Sequence, residues 1–437
     1  MKKLTASLIL LTGLACKADS LSNRGMVYGF DDLTPSANLT WTPCFDDFTC
    51  SKLEVPLDYS NPGLGKTSVA FMKLAGKNAT TQSPSIVLIP GGPGGSGIDI
   101  LLTSRSVVGQ MFGEQYNVVS FDPRGVNNSG LNFDCFRGNA EARMAFNRLH
   151  ATGATNISSE SLQEQYYSAS IYGEWCNEAA EATLANQPEL NAKLWSYGMS
   201  YGTVIGATFA AMFPDRVGRM ILDGVLDAEQ YYDNNWRDVT DQMDETIGKF
   251  SSLCHSAGPE RCSFWGPSPA NITARLDRII LDLQSHPVAV SRAQRQGLPT
   301  MVTYSDLKDF IFTNIYTPLS GFPAIADVLH QLENGNATAL ADLSDGLGIT
   351  LDAGFVIRCV DSYRRNKLAT IEEFKSYVEY MVSTSKYTGD IFPIVAENIV
   401  CRSLRPQLPE SMDIQSTHNS LLTSLRILSP MGKVHQA

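Results

Sequence analysis

Four short apolar runs, each followed at once by a loop rich in glycine, aspartate or serine, constrain the fold of this chain most strongly. They lie in the stretches SIVLIPGGPGGSG, YNVVSFDPRG, AKLWSYGMS and GRMILDGV. Unbroken apolar runs of this length are typical of strands buried on both faces, as in a parallel sheet. The segments between them are long and helix-compatible, notably SESLQEQYYSASIYGEWCNEAAEATLANQ and GTVIGATFAAMF. The pattern therefore predicts a βαβ series, that is, an α/β fold with a mostly parallel sheet.

Two regions flank this series. Upstream, KLEVPLDYSNPGLGKTSVAFMKLAG predicts two strands around an Asn-Pro-Gly turn. From about residue 227 to about residue 400 the strand rhythm stops and the pattern becomes helical, as in ITARLDRIILDLQSH and IEEFKSYVEYMV. We therefore predict a core over 19–226, a helical cap inserted over 227–400, and the start of a C-terminal core segment over 401–437.

The N-terminus and the overall charge bear on location and partners. Lys2 and Lys3 precede an apolar run that ends in small residues at Ala15 and Ala18, so 1–18 are predicted to be a cleaved secretory signal. No later run reaches the length of a membrane helix. The formal net charge of -11 argues against nucleic-acid binding and against an anionic membrane surface. We expect a secreted, extracellular protein that binds neither.

The cysteines fit that location. Of nine, Cys16 lies in the signal, and the remaining even number in an oxidising compartment predicts four disulfide bonds. The spacing favours two local pairs, and our choice among the arrangements of the rest completes the set: Cys44–Cys50, Cys254–Cys262, Cys135–Cys176 and Cys359–Cys401. No metal site is expected, because neither short pair has a second pair nearby. Glycosylation sequons, which fit a secreted protein, occur at Asn38, Asn78, Asn127, Asn156, Asn271 and Asn336.

The stretch WSYGMSYGT carries the chemistry. It contains Gly-x-Ser-x-Gly, with Ser200 between Gly198 and Gly202, after an apolar strand and before a helix of small residues. A tight strand-to-helix turn of this kind projects the serine hydroxyl from the carboxyl edge of the sheet. Acyl transfer also needs two N–H groups directed at the oxyanion, and the Tyr201 amide and one amide of the loop 91–95 are expected to provide them.

These motifs, in this order, resemble the secreted tripeptidyl and prolyl aminopeptidase group of α/β-hydrolases. The resemblance rests on PGGPGGSG, FDPRGVNNSG, WSYGMSYGT with FAAMFPDRVGRMILDGV, and CFDDFTCSKLEVPLDY, and it covers about 41–226 closely and the cap loosely. It implies a serine exopeptidase in which Ser200 attacks the scissile carbonyl and the Gly92 and Tyr201 amides form the oxyanion hole. It also implies a cap that limits access to the free amino end of a peptide. Two departures are visible: Pro90 stands where many prolyl enzymes have histidine, as in the tripeptidyl branch, and Asn127 where glycine is common.

The base and the acid of the triad are harder to find. The family pattern ends in an Asp-Pro-x-x-Pro loop and a Gly-His, but the sequence after CRSLRPQLPE contains neither, so the last strands of the sheet are expected to be missing. Asp223 and Asp227 follow the fourth run, where some α/β-hydrolases place the acid, although a loop or N-cap role is commoner. We retain Asp223 as acid and His435 as base. The other histidines fall in helical segments or before the expected strand: His150, His255, His286, His330 and His418.

Three functions remain open at this point. The first is a secreted serine aminopeptidase that releases short peptides or single residues through an acyl-enzyme on Ser200. The second is an esterase-type or metabolite-tailoring hydrolase, and the third is an inactive binding protein or splice product that lacks the triad's Asp and His. The substrate is a peptide or a small acyl compound, and the chemistry needs no cofactor.

Overall fold

The computed structural model describes residues 25–59, 61–131, 133–150, 153–155, 158–180, 193–291, 299–343, 352–363, 365, 368–396 and 398–405. Its main feature is a seven-stranded sheet in the order β1-β2-β3-β5-β4-β6-β7. The strands are β1 (Thr42–Cys44), β2 (Phe48–Pro56), β3 (Lys66–Leu74), β4 (Ser85–Ile89), β5 (Asn117–Phe121), β6 (Leu194–Met199) and β7 (Val217–Asp223). The predicted signal over 1–18, Asn156, His418 and His435 lie outside the described residues.

The sheet has a parallel half and an antiparallel half. The four apolar runs form β4 to β7, and the neighbours β5–β4, β4–β6 and β6–β7 are all parallel. The strands predicted around the Asn-Pro-Gly turn are β2 and β3, which pair antiparallel with each other. The β3 strand also pairs antiparallel with β5. The short β1 was not predicted; it pairs with β2 through a tight turn. The α/β prediction is confirmed, with parallel pairing confined to one half of the sheet.

Helices cover both faces of the parallel half. The helices before β6 are α1 (Gly97–Thr103), α2 (Arg105–Phe112), α3 (Ala140–His150) and α4 (Ser159–Ala180), and α5 (Tyr201–Met212) follows β6. Apolar side chains of α1 and α2 pack against Leu88, Val118 and Tyr197, which lie on one face of the sheet. The α5 helix packs on β6 and β7 through the opposite face, since an added Cβ on Gly206 would lie 2.6 Å from Leu222.

A set of helices follows β7, within the region that the sequence analysis named the cap, and we keep that name for them. They are α6 (Ala228–Tyr232), α7 (Met243–Ala257), α8 (Pro269–Ser285), α9 (Tyr304–Ile315), α10 (Pro318–Glu333), α11 (Thr338–Leu343), α12 (Asp352–Asp361), α13 (Ile371–Thr384) and α14 (Phe392–Ala396). The pattern missed a two-stranded antiparallel pair within them, β8 (Val288–Val290) and β9 (Thr300–Val302). The α4 helix packs against α13 and against the 3-10 helix Asn398–Arg402, so the segment between β5 and β6 also contacts the cap.

The apolar interior of the cap forms two clusters. The proximal cluster combines α5 and α6 with α12, α13 and α14, and its members include Tyr201, Val204, Tyr231, Phe355 and Phe374. The distal cluster combines α7 to α11, and its members include Phe250, Leu276, Leu307, Ile311 and Ile325. The first therefore contains residues of the helix that follows Ser200, and the second does not.

Four disulfide bonds are present, two that close short local loops and two that link segments about 40 residues apart. They join Cys44 to Cys50, Cys135 to Cys176, Cys254 to Cys262 and Cys359 to Cys401, the same pairs that the sequence analysis chose. In the described part of the chain, none of the helices combines the length and apolar character needed to cross a bilayer.

Candidate active site

Ser200 occupies a strained turn between β6 and α5. Its φ of 51° and ψ of -117° lie where a residue with a side chain is rarely found. Hydrogen bonds hold the turn: Ser200 N–H donates to the Asp223 carbonyl at 3.0 Å, and the Thr203 N–H and hydroxyl both donate to the Ser200 carbonyl, at 2.8 Å and 2.6 Å. Leu226 N–H donates to that hydroxyl at 3.1 Å. The Ser200 side chain is exposed. This is the geometry of a nucleophile elbow that presents its hydroxyl to solvent.

The glycines on either side of Ser200 are required by close backbone packing. A Cβ on Gly198 would lie 2.4 Å from the Gly202 carbonyl oxygen, and one on Gly202 would lie 2.5 Å from the Ile89 carbonyl oxygen. Neither approach is possible for a residue with a side chain unless the backbone moves. The Gly-x-Ser-x-Gly spacing is thus explained by the close approach of the start of α5 to β6 at Gly198 and to β4 at Gly202.

The glycine-rich loop after β4 lies directly against the serine. A Cβ on Gly91 would lie 3.1 Å from the Ser200 Cβ and 3.6 Å from its Oγ. Gly92 follows with a φ of 119°, and Gly95 N–H donates to the Gly91 carbonyl at 3.2 Å. The sequence analysis expected one oxyanion donor from this loop and the other from Tyr201. The structure brings both segments to Ser200, and the assignment of the Gly92 and Tyr201 amides remains a prediction.

The buried carboxylate of Asp122 fixes the far end of that loop. The side chain, which follows β5, accepts from the Ser96 hydroxyl at 2.6 Å and from Ile98 N–H at 3.2 Å. Its other oxygen accepts from the Asn128 amide groups at 3.1 Å and 2.9 Å. Ser96 is in turn the N-cap of α1. The FDPRGVNNSG motif therefore holds the glycine-rich loop in place, a role that the sequence analysis did not assign.

Asp223 and Asp227, considered for the acid, have different environments. The Asp223 carboxylate accepts a hydrogen bond from the Tyr197 hydroxyl, and its side chain is exposed at the carboxyl end of β7. Burial, with a further contribution from Asp223, raises the pKa of Tyr197 to about 12, so that hydroxyl stays a donor. Asp227 is the N-cap of α6 and accepts from Glu229 N–H and Gln230 N–H at 2.8 Å and 3.0 Å. Asp227 thus has the ordinary role that the sequence analysis considered commoner.

The histidines within the described ranges all make contacts away from Ser200. His150 packs on Phe146, and His255 Nδ1 lies 2.9 Å from the Gly266 carbonyl. His286 pairs with Asp282, and His330 lies beside Asn334. In that part of the chain no histidine hydrogen-bonds to Ser200, and no group of three or more His, Cys, Asp or Glu side chains is arranged to bind a metal ion. The proposed base, His435, is not among the described residues.

On its cap side, the elbow meets a carboxylate that the sequence analysis did not single out. Asp361, at the end of α12, accepts hydrogen bonds on Oδ2 from the Tyr201 hydroxyl at 2.9 Å and from the Tyr231 hydroxyl at 2.7 Å. Burial raises the pKa of Asp361 to about 6. Burial and the nearby carboxylate raise the pKa of both tyrosines well above the ordinary value, so both hydroxyls remain protonated donors. The sequence around Asp361, IRCVDSY, gives no sign of this contact in its spacing.

Five of the predicted glycosylation sites can be located. Asn38, Asn78, Asn127, Asn271 and Asn336 all have exposed side chains. Asn127 lies near the glycine-rich loop, where its amide is 3.2 Å from an Asp99 carboxylate oxygen. Exposure makes these asparagines accessible to a transferase, and their modification remains a prediction.

Comparison with known proteins agrees with this geometry. Residues 84–253 match a family model described as the alpha/beta hydrolase fold. Serine protease Hip1 of Mycobacterium tuberculosis is 27% identical over 394 residues, which cover 80% of this chain and 72% of that protein. Putative hydrolase YuaR of Escherichia coli is 24% identical over 404 residues, covering 86% and 72%. Tripeptidyl aminopeptidase of Streptomyces coelicolor is 29% identical over 242 residues, covering 47% and 43%.

Proposed function

Because this chain is a serine hydrolase with the α/β-hydrolase fold, we propose that it is an aminopeptidase that cleaves short peptides or single residues from peptide N-termini. The observation that carries the proposal is the position of Ser200, exposed at an elbow beside the glycine-rich loop, where a Cβ added to Gly91 would lie 3.6 Å from its Oγ. Relatives named as a serine protease and as a tripeptidyl aminopeptidase support peptides as the substrate class.

The proposed reaction has two steps. In the first, the Ser200 hydroxyl loses its proton to a base while Oγ attacks the scissile carbonyl, and the Gly92 and Tyr201 amides stabilise the oxyanion. The C–N bond then breaks, the base returns the proton to the leaving amine, and an ester on Ser200 remains. In the second step, water hydrolyses that ester by the same route and releases the N-terminal fragment. His435 as base and Asp223 as its orienting acid complete the proposal.

Fluorophosphonate labelling of the purified full chain, measured by intact mass, tests the nucleophile. The wild-type protein is expected to gain one adduct, and Ser200→Ala to gain none, because only a serine activated by a base attacks phosphorus readily. Ser252→Ala, which removes an exposed serine of α7, is the matched control and should label like the wild type. A wild-type chain that is folded but unlabelled would refute the proposal and favour the inactive binding protein.

A pair of substrates separates the peptidase from the esterase alternative. A tripeptide p-nitroanilide with a free amino group is expected to be cleaved, and the same compound with an acetylated amino group is not, because the proposed cap limits access to a free N-terminus. Ester turnover without cleavage of either anilide would identify an esterase-type hydrolase instead.

We also propose that the protein acts outside the cell. Four disulfide bonds and five exposed sequons support an oxidising, glycosylating route. Treatment of the chain recovered from culture medium with an N-glycosidase is the measurement: a loss of mass supports this location, and recovery only from the cell interior contradicts it.

A further inference from the structure

One cap helix, α12, reaches both segments that carry the proposed oxyanion donors. Near its N-terminus, Gly354 packs backbone to backbone on the glycine-rich loop: a Cβ on Gly94 would lie 2.7 Å from the Gly354 Cα, and one on Gly354 would lie 2.7 Å from the Pro93 carbonyl oxygen. At its C-terminus, Asp361 accepts the hydrogen bond from the Tyr201 hydroxyl. The two contacts lie at opposite ends of the same ten-residue helix.

The α12 helix is itself fixed to the rest of the protein. Asp352, at its first turn, is buried and accepts from Cys135 N–H at 2.7 Å and from Arg143 Nη1 at 2.8 Å. Cys359, near the other end, is bonded to Cys401. Because both ends of α12 are fixed, its two contacts with the oxyanion segments have defined positions.

The Asp361 carboxylate is also held in a defined position, by hydrogen bonds from two tyrosines. Tyr231, which is 1% exposed, donates to the same oxygen as Tyr201, and the two tyrosine rings pack with their centroids 5.3 Å apart. A carboxylate removed from water needs such donors, since burial without them is costly. Tyr231 thus positions Asp361, and Asp361 positions the side chain of the residue whose backbone N–H is a proposed oxyanion donor.

We propose that Asp361 is a positioning residue for the hydrolytic reaction. By holding the Tyr201 hydroxyl, it fixes the orientation of the Tyr201 backbone N–H. The geometry of the oxyanion hole therefore depends on a contact with α12, a helix of the cap. This inference rests on the proposed function. It assigns Asp361 no contact with substrate. Its effect is expected on the rate of acylation and not on substrate binding.

The kinetic test compares Asp361→Ala with Asp361→Asn. Asp361→Ala should lower the acylation rate per folded molecule about 10- to 100-fold with KM within about twofold, since misplaced groups and lost oxyanion donors act on the transition state. Asp361→Asn keeps an acceptor oxygen and should stay within about fivefold of the wild type. Asp309→Ala on α9 is the matched control, because burial raises the pKa of Asp309 also to about 6. It should leave the rate unchanged.

A double-mutant cycle isolates the contact. Tyr201→Phe removes the hydroxyl and retains the backbone N–H, so it should lower the rate about as much as Asp361→Ala, and the double variant should be no slower than the slower single variant. Fully additive effects would mean that Asp361 acts through some other group, which contradicts the proposal.

Amide hydrogen exchange tests the positioning without needing turnover. In Asp361→Ala, peptides covering 91–96 and 199–205 should exchange faster than in the wild type, while Asp361→Asn and Asp309→Ala should not change them. Unchanged exchange and unchanged rate in Asp361→Ala would overturn the inference, as would equal effects of alanine and asparagine. If the wild type does not label, the proposed function fails on its own and exchange alone decides the positioning role.

Discussion

The two apolar clusters of the cap differ in whether they include residues of α5, the helix that follows Ser200. The proximal cluster includes Tyr201 and Val204 of α5, so the helix that begins after Ser200 is packed into the cap. The distal cluster takes all of its buried members from residues between Ile247 and Tyr387. The proximal cluster is therefore packed together with the helix that follows Ser200, whereas the distal cluster is a separate core within the cap. Damage to the two clusters should have different consequences.

Asp352→Ala should produce the largest effect. It removes the buried partner of Arg143 and Tyr172 at the first turn of α12, and breaking a buried ion pair from one side typically costs about 3–5 kcal/mol. We expect the free energy of unfolding to fall by that amount and the labelling rate per folded molecule to fall as well, measured by urea denaturation and by fluorophosphonate kinetics.

Asp134→Ala is the matched control for that experiment. Asp134 is the more exposed partner of Arg143, so its loss should cost only about 1 kcal/mol. A stability loss in Asp352→Ala with an unchanged labelling rate would show that α12 does not influence Ser200, and the comparison between the two clusters would fail.

Ile325→Ala in the distal cluster should destabilise nearly as much but leave the chemistry intact. Ile325 on α10 is fully buried, and truncation of such a side chain typically costs about 2–5 kcal/mol. Because no residue of α5 belongs to this cluster, the labelling rate of the molecules that remain folded should equal that of the wild type. A slower rate per folded molecule would show that the distal core also supports the site.

The smallest effect concerns pH. Burial raises the folded-state pKa of both Asp361 and Asp309 to about 6 from 3.8, so each contributes stability below the unfolded pKa, and this contribution is lost as the pH rises through about 6. Either aspartate-to-asparagine variant should reduce the downward slope of unfolding free energy against pH between about 4 and 6, by at most about 1.4 kcal/mol per pH unit.

Only Asp361→Asn should also change the pH profile of acylation over that range. The titratable groups that face Asp361 are the hydroxyls of Tyr201, Tyr231 and Tyr232, and their pKa values are raised by burial, so they do not titrate there. An identical acylation profile for the wild type and Asp361→Asn would limit the role of Asp361 to stability.

The parallel half of the fold was predictable because its signals are local. Each of β4 to β7 is an apolar run bounded by turn residues. The glycines on either side of Ser200 stand at positions where an added Cβ would clash with the backbone. The weak signals were β1, with three residues, and the β8–β9 pair, with three residues in each strand. Strands that short have no measurable periodicity.

The cap side of the candidate site could not be predicted, because its contacts span long stretches of chain. Asp361 and Tyr201 are 160 residues apart, and the fold alone brings them together. The Gly354 contact with Gly94 has the same character. A lone aspartate in a helical pattern is usually a solvated residue, so nothing in IRCVDSY distinguished this one. Sequence reasoning therefore pointed to the serine at the elbow and to the glycine-rich loop beside it, but missed the helix that contacts both segments.

The positive φ of Ser200 also bears on how natural selection acts on this position. The φ of 51° and ψ of -117° at Ser200 cost a residue with a side chain on the order of 1–3 kcal/mol, which a glycine would not lose. Selection for stability alone would therefore favour glycine at this position. The serine gives up that stability for a hydroxyl group at the carboxyl edge of the sheet, which is a trade of stability for chemistry.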